Sequence, residues 1–208
     1  MCCVAYGRRI GIRTNNAEVL DRLRDRLPSP WRPAGSAVVD ELYSLVVGGK
    51  TSQPNIRRFN LAYVGAMPLA RTLDLDEALD LIESDLHLRI AERAHGRVFV
   101  HAGVVAWRDR AVVIPGRTFT GKTTLVAALV RAGATYYSDE FAVLDASGHV
   151  HPYPKPLSVR REGGHRPQRL SVESLGGIAG TRPLPVGLIL LSRYRAGARW
   201  RPRRLPAG

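Results

Sequence analysis

Between residues 16 and 27 apolar positions recur at helical spacing: Ala17, Leu20, Leu23 and Leu27 follow Asn16, whose side chain suits an N-cap. The pattern predicts a first helix, stopped by the prolines of segment 28–33. Two apolar or alternating runs, 37–47 and 57–64, read as strands joined by a polar turn region over 48–55. Segment 76–93 returns to the helical period. It has Ala78, Leu81, Ile82, Leu86 and Ile90 on one side, and Asp76 and Glu77 where the helix dipole favours acids. Residues 1–95 therefore read as a small α+β lobe, free to share a sheet with the remainder of the chain. Cys2 and Cys3 sit at an end expected to fray.

From residue 96 the texture changes, and residues 96–208 read as a nucleotide-binding unit. Segment 98–107 is apolar and β-rich, Arg108-Asp109 suits a two-residue turn, and 111–115 is a short buried strand, which together predict a β-hairpin. A glycine-bearing loop leads into a helix over 122–131, closed by Gly133. Strands are expected at 135–138, 141–144, 149–153 and 186–191, with Pro152, Pro154 and Pro156 forcing an extended loop. A two-residue turn makes paired residue numbers sum to 217, so His101 lies opposite Gly116 at the mouth of the glycine loop.

That loop carries the chemistry. Gly116-Arg117-Thr118-Phe119-Thr120-Gly121-Lys122-Thr123 has the form G-x-x-x-x-G-K-[ST], a P-loop, preceded by a strand and opening a helix. Glycines let successive N–H groups face a phosphate, and the helix N-terminus through Thr124 adds donors. Lys122 supplies charge to the β- and γ-phosphates, and the Thr123 hydroxyl can ligate Mg²⁺. His101 can touch phosphate or relay a proton; otherwise it only begins a strand. Asp139 and Glu140 come after the helix and a short strand. One is a candidate base and the other a candidate Mg²⁺ ligand, against the alternative of a solvated acidic turn. Glu162 is a further candidate metal ligand, with Arg160 and Arg161 candidates for substrate phosphate. His149 and His151 share a strand face as a candidate metal pair whose third ligand is not evident. Tyr136 and Tyr137 read as core.

Composition narrows the partners. The chain has 208 residues, 45% hydrophobic and 24% charged, as in an ordinary folded protein. No apolar run reaches the ~18 residues of a membrane span, no secretory leader is evident, and the cysteines give no disulfide framework. A cytoplasmic location is the expectation. The net charge of +13 invites nucleic acid, yet only Lys50, Lys122 and Lys155 among 31 basic residues are lysine, and the arginines are dispersed. Without a helix-turn-helix, RRM or zinc-finger signature, nucleic acid is not the expected partner. The exception to the dispersal is Arg193–Arg204, with six arginines around Tyr194 and Trp200, which reads as a phosphate- or acid-binding segment or a solvated end.

The order of these features resembles the catalytic domain of HPr kinase/phosphorylase and its kinase-like relatives, a fold similar to the nucleotide-binding part of PEP carboxykinase. A His-Ala-Gly-Val strand (101–104), a hairpin into the P-loop, and Ser-Asp-Glu at 138–140 carry the resemblance over 96–157. It implies an α/β P-loop core with a mixed sheet, ATP and Mg²⁺ as cofactors, and His101, Lys122 and Asp139 as catalytic residues, Asp139 as base for an acceptor serine. Glu140 stands where that family has Asp. The implied activity is transfer of the γ-phosphoryl group of ATP to a serine hydroxyl on a protein, a peptide or free serine. The other reading is a non-catalytic or weakly hydrolytic ATP-binding module acting in assembly or regulation. Homo-oligomerisation stays open.

Overall fold

A computed structural model describes residues 1–49, 56–117, 120–159, 168–193, 197, 199 and 201–206. The chain is mixed α/β: among the described residues it has three α-helices and two six-stranded sheets, each combining parallel and antiparallel pairs.

The first sheet is built from β1 (Cys2–Ala5), β2 (Arg8–Thr14), β3 (Trp31–Pro33), β4 (Glu41–Val46), β5 (Asn60–Val64) and β6 (Met67–Thr72), in spatial order β3-β1-β2-β4-β5-β6. The chain start does not fray. Tyr6 and Gly7 both take positive φ (49° and 79°), turning β1 back onto β2, while β3 covers the other edge of β1. Cys3 is fully buried as a result, and burial pushes its thiol up to about 11, which makes it an inert core group. The strands expected over 37–47 and 57–64 contract to β4 and β5. β5 alternates strictly: Asn60, Ala62 and Val64 are buried, Leu61 and Tyr63 half-buried.

Parallel strands β2 and β4 are joined across α1 (Ala17–Arg24). The Asn16 side chain accepts the Val19 N–H at 3.2 Å, as the N-cap expectation requires. The buried stripe is Val19 and Leu23, with Leu20 half-buried and Ala17 exposed, a shift of the face read from spacing. The second helix, α2 (Leu75–Arg93), starts one residue earlier than its apolar pattern suggests, because Asp74 accepts N–H bonds from Asp76 and Glu77. It buries Ala78, Leu79, Ile82, Leu86 and Ile90, whereas Leu81 is 42% exposed. Two polar residues, Glu83 and His87, are buried with them and face the rest of the chain.

The second sheet contains β7 (Val98–Trp107), β8 (Arg110–Pro115), β9 (Thr135–Ser138), β10 (Phe141–Leu144), β11 (His149–His151) and, beyond a separate ribbon of β12 (Leu157–Val159) and β13 (Gln168–Leu170), β14 (Leu184–Ile189). Its order is β10-β11-β14-β8-β7-β9, and β7 also pairs with β10, so the ladder closes on itself. The last strand thus lies at 184–189 rather than 186–191, and the strand after the Ser147-Gly148 turn ends at 151. Arg108 and Asp109 both have positive φ (49° and 59°), the signature of a type I′ hairpin turn. From Trp107↔Arg110 to Ala102↔Pro115 the register keeps the expected sum.

Helix α3 (Lys122–Arg131) packs on β7 at Gly103, where a Cβ would lie 2.5 Å from Val126 Cγ2. No larger residue allows that approach. Gly133, at φ 98°, ends the helix, and Tyr136 and Tyr137 are core residues.

Polar and aromatic contacts join the two sheets. Tyr6, Phe99, Phe141 and Tyr153 form an aromatic cluster with ring centroids 5.2–6.0 Å apart, edge-to-face except for the tilted Tyr6–Tyr153 pair. His87 Nε2 faces the Arg26 carbonyl at 3.0 Å and must donate, so Nδ1 accepts from the Tyr153 hydroxyl at 2.5 Å and the ring is neutral. Nearby Glu83 is gripped by Arg26 (2.8 Å) and by both Arg169 nitrogens (2.6 and 2.9 Å), with Lys155 at 3.4 Å. Among the described residues, no helix is long and apolar enough to cross a membrane.

Candidate functional site

The hairpin delivers His101 to the glycine segment, where its carbonyl accepts the Gly116 N–H at 3.4 Å. Gly116 is required on steric grounds: a Cβ there would stand 2.6 Å from Thr120 Oγ1. Thr120 in turn donates its hydroxyl to the Arg117 carbonyl at 2.8 Å, tightening the bend. Gly121 occupies the left-handed region (φ 85°) and is the N-cap of α3 without any side-chain cap bond, so the first N–H groups of the helix have no side-chain acceptor there. Thr123 and Thr124 come next in the first turn, with Thr124 exposed. Thr118 and Phe119 lie outside the described residues, as do Arg160, Arg161, Glu162, Tyr194 and Trp200.

Lys122 is buried and reaches three acceptors: the carbonyls of Gly116 (2.5 Å) and Arg117 (2.8 Å), and His101 Nε2 at 3.2 Å. An ammonium only donates, so Nε2 accepts and His101 is neutral with its hydrogen on Nδ1. Burial, then the Lys122 charge, lowers the His101 pKa below its ordinary value. Burial likewise lowers that of Lys122, against the pull of Asp139.

Asp139 and Glu140 interrupt what is otherwise one continuous strand, β9 into β10, along the edge of β7. The buried Ser138 hydroxyl accepts the N–H groups of Glu140 (3.2 Å) and Phe141 (3.0 Å), and the Glu140 carbonyl accepts the Ala102 N–H at 3.1 Å. This corner holds Asp139 against α3. Its Oδ1 is buried with no hydrogen-bond partner. Burial pushes the Asp139 pKa up to about 6, Glu140 adding to the effect, while the Thr123 hydroxyl, the Ser158 backbone N–H and Lys122 oppose it.

Glu140 is differently placed. Lys155 hydrogen-bonds its carboxylate and also approaches Glu83, so Glu140 belongs to the charge network between the sheets. Lys155 and Ser158 line a cavity of about 440 Å³ that also contains Arg26, Asp80, Glu83 and Arg169. Sequence reasoning names Ser138 only within the Ser-Asp-Glu run, without a role, and does not single out Lys155 or the Ser158 backbone. Ser138 is readable as a turn former before two acids, whereas the pairing of Lys155 with Glu140 spans 15 residues and leaves no local signature.

His149 and His151 flank Asp145 at the β10–β11 turn: His151 Nε2 lies 2.7 Å from Asp145 Oδ2, and His149 Nδ1 lies 2.8 Å from Ser147 Oγ. Among the described residues no group of three or more His, Cys, Asp or Glu is arranged to hold a metal. The oxygens beside Lys122 fit Mg²⁺ in a different way. Mg²⁺ binds through one or two protein oxygens plus phosphates and water, and the Thr123 hydroxyl and the orphaned Asp139 Oδ1 are such oxygens. Comparison of the chain with family models, with curated proteins and with solved structures finds no match in any of the three.

Proposed function

We propose that the chain is an ATP-dependent kinase of the HPr-kinase-like type, moving the γ-phosphoryl group of ATP to a serine hydroxyl on a protein, a peptide or free serine. In this reading the second sheet with α3 is a P-loop core. Segment 116–124 cradles the phosphates with its backbone N–H groups, and Lys122 exchanges its loop carbonyls for phosphate oxygens. Mg²⁺ arriving with the nucleotide would supply charge neutralisation, with the Thr123 hydroxyl as the residue that would hold it. Neutral His101 beside Lys122 offers its Nδ1 hydrogen to a phosphate oxygen or passes a proton. An acceptor hydroxyl placed against the Asp139 carboxylate gives its proton to it.

The observation that carries this reading is Asp139, whose Oδ1 is buried without a partner beside Lys122 and Thr123, at a pKa moved to about 6. Such a carboxyl is still mostly ionised at neutral pH, yet takes a proton more readily than an ordinary Asp. A carboxylate that only held Mg²⁺ has no need of a raised pKa.

The test is ADP release across candidate acceptors: free serine, serine-containing peptides and HPr-like proteins. Acceptor-dependent release is expected, falling about 10²–10⁴-fold in Asp139→Asn while ATP affinity stays within a few-fold. ATP binding with no acceptor-dependent release in the parent would leave only the binding-module reading.

A further inference from the structure

Among the described residues, the first sheet has one face that no helix covers. α1 and α2 pack on the same side, over Ile10, Ile12, Tyr43, Leu45, Ala62 and Val64. Side chains alternate along a strand, so Arg13 of β2, Ser44 of β4, and Leu61 and Tyr63 of β5 lie on the opposite side. The pairs Arg13↔Ser44 and Ser44↔Tyr63 make one row across three strands, and Leu61↔Arg71 brings β6 into the next. Neighbouring strands are about 4.8 Å apart, so the Arg13 and Arg71 backbones stand on either side of Tyr63, each within about 10 Å of it. Towards the other edge Val4 pairs with both Arg9 and Arg32. At Gly11 the chain before β4 comes down on this face, where a Cβ would lie 3.2 Å from Val39 Cγ2.

The charge on the open face has one sign. The six strands contain five arginines and a single acid, Glu41. Glu41 belongs to the helix side, where Arg89 and Arg93 of α2 hold it. On the open side Arg13 Nε donates to Ser44 Oγ at 2.7 Å, and the Arg71 guanidinium carbon lies 4.1 Å from the centroid of the Phe59 ring. Arg13, Arg32 and Arg71 are exposed, while Phe59, Leu61 and Tyr63 are half-buried between them. Arg9 shares Asp40 at the rim. Dispersal of the arginines along the sequence hides this arrangement, because pairing of the strands is what gathers three of them around an aromatic centre.

We propose that this face binds single-stranded nucleic acid, with a base stacked on Tyr63 and with Arg13 and Arg71 on the phosphates to either side. Every base has a π-face for the ring, and a guanidinium meets phosphate oxygens through parallel N–H bonds. A duplex keeps its base faces stacked inside and has nothing to offer the tyrosine. An extended acidic peptide would gain its main-chain hydrogen bonds at a sheet edge, not on a face. The site is separate from segment 116–124 and does not rest on the kinase reading.

Fluorescence anisotropy of labelled oligo(dT) and oligo(U) of about 12 nucleotides, titrated with the full chain over a series of salt concentrations, tests it. Binding of either strand is expected, and a preference between them identifies the sugar. Tyr63→Leu keeps apolar bulk but loses the ring, and should bind about ten-fold more weakly, with Tyr63→Phe close to the parent. Arg13→Gln and Arg71→Gln should each weaken binding and reduce the salt slope by about 0.7. Arg24→Gln makes the same charge change on α1, on the other side of the sheet, and should stay within about two-fold. Equal losses in Arg24→Gln and Arg13→Gln would reduce the binding to the net charge of the chain and overturn the proposal. Parent affinity in Tyr63→Leu, or a duplex of the same length binding as tightly, would also overturn it. So would loss of binding in Lys122→Ala, which would move the strand to segment 116–124. Absence of binding, or tighter binding of a polyglutamate of equal charge, would overturn it as well.

Discussion

Replacing Glu83 by Gln removes the only carboxylate that Arg26, Arg169 and Lys155 share between the two sheets among the described residues. The side chain is 4% exposed, so solvent screens these pairs little. Burial alone would raise the Glu83 pKa. The Arg169 hydrogen bonds and the Lys155 charge outweigh burial and hold it at about 2, against an ordinary 4.5. At 1.36 kcal/mol per pKa unit, that depression is linked to about 3 kcal/mol of folding free energy at neutral pH. Removing one partner of a buried ion pair gives a similar figure, about 3–5 kcal/mol, because the cations stay behind. For a chain of this size each kcal/mol moves Tm by about 2–4 °C, so Glu83→Gln should lower Tm by about 6–12 °C. The depressed pKa sets the sign with pH. The stabilisation is complete above 4.5 and is lost as pH falls towards 2, so the parent and Glu83→Gln curves should converge in acid. Thermal unfolding followed by near-ultraviolet circular dichroism reads both effects. A Tm within about 2 °C of the parent at neutral pH, or a gap that persists in acid, would refute the claim that Glu83 ties the sheets together.

The same contacts set three other outcomes. Burial holds the His87 pKa below 6.5, so the unfolded chain takes up the proton first, and stability should fall as pH drops below 6.5; His87→Gln should flatten that limb of a Tm-against-pH series. Asp139 has the opposite anomaly, a raised pKa that penalises the ionised folded state above pH 3.8. Asp139→Asn should therefore raise neutral-pH stability, by up to about 3 kcal/mol in urea unfolding, while reducing transfer. Gly103→Ala drives a Cβ into Val126 and should cost about 1–3 kcal/mol, with ATP affinity reduced as α3 shifts; Val126→Ala in the same chain should restore part of both.

What is legible in the sequence is local. The β7–β8 hairpin and its register are readable because a two-residue turn fixes every later pair, which is how the turn at Arg108-Asp109 alone sets His101 against Gly116. The Asn16 cap and the Gly133 stop are similarly short-range. The terminal strand is not legible because Cys2–Ala5 has no pattern of its own, its burial being conferred by Trp31–Pro33 and Arg8–Thr14. Spacing puts Leu81 on the buried face of α2 because it cannot foresee that Glu83 and His87 take that place, their partners lying 57 to 86 residues away. The Asp139-Glu140 pair is visible as two acids, but their separation into a buried carboxyl and one paired to Lys155 depends on contacts across the chain.

The claim that everything else depends on is that segment 116–124 binds nucleotide phosphates through Lys122. Isothermal titration of the parent chain with MgATP measures this directly, with Lys122→Ala as the matched variant. Saturable binding by the parent that is lost in Lys122→Ala, with the variant's fold intact by circular dichroism, is the expected result. No binding by the parent, or equal affinity in the folded variant, would contradict the account.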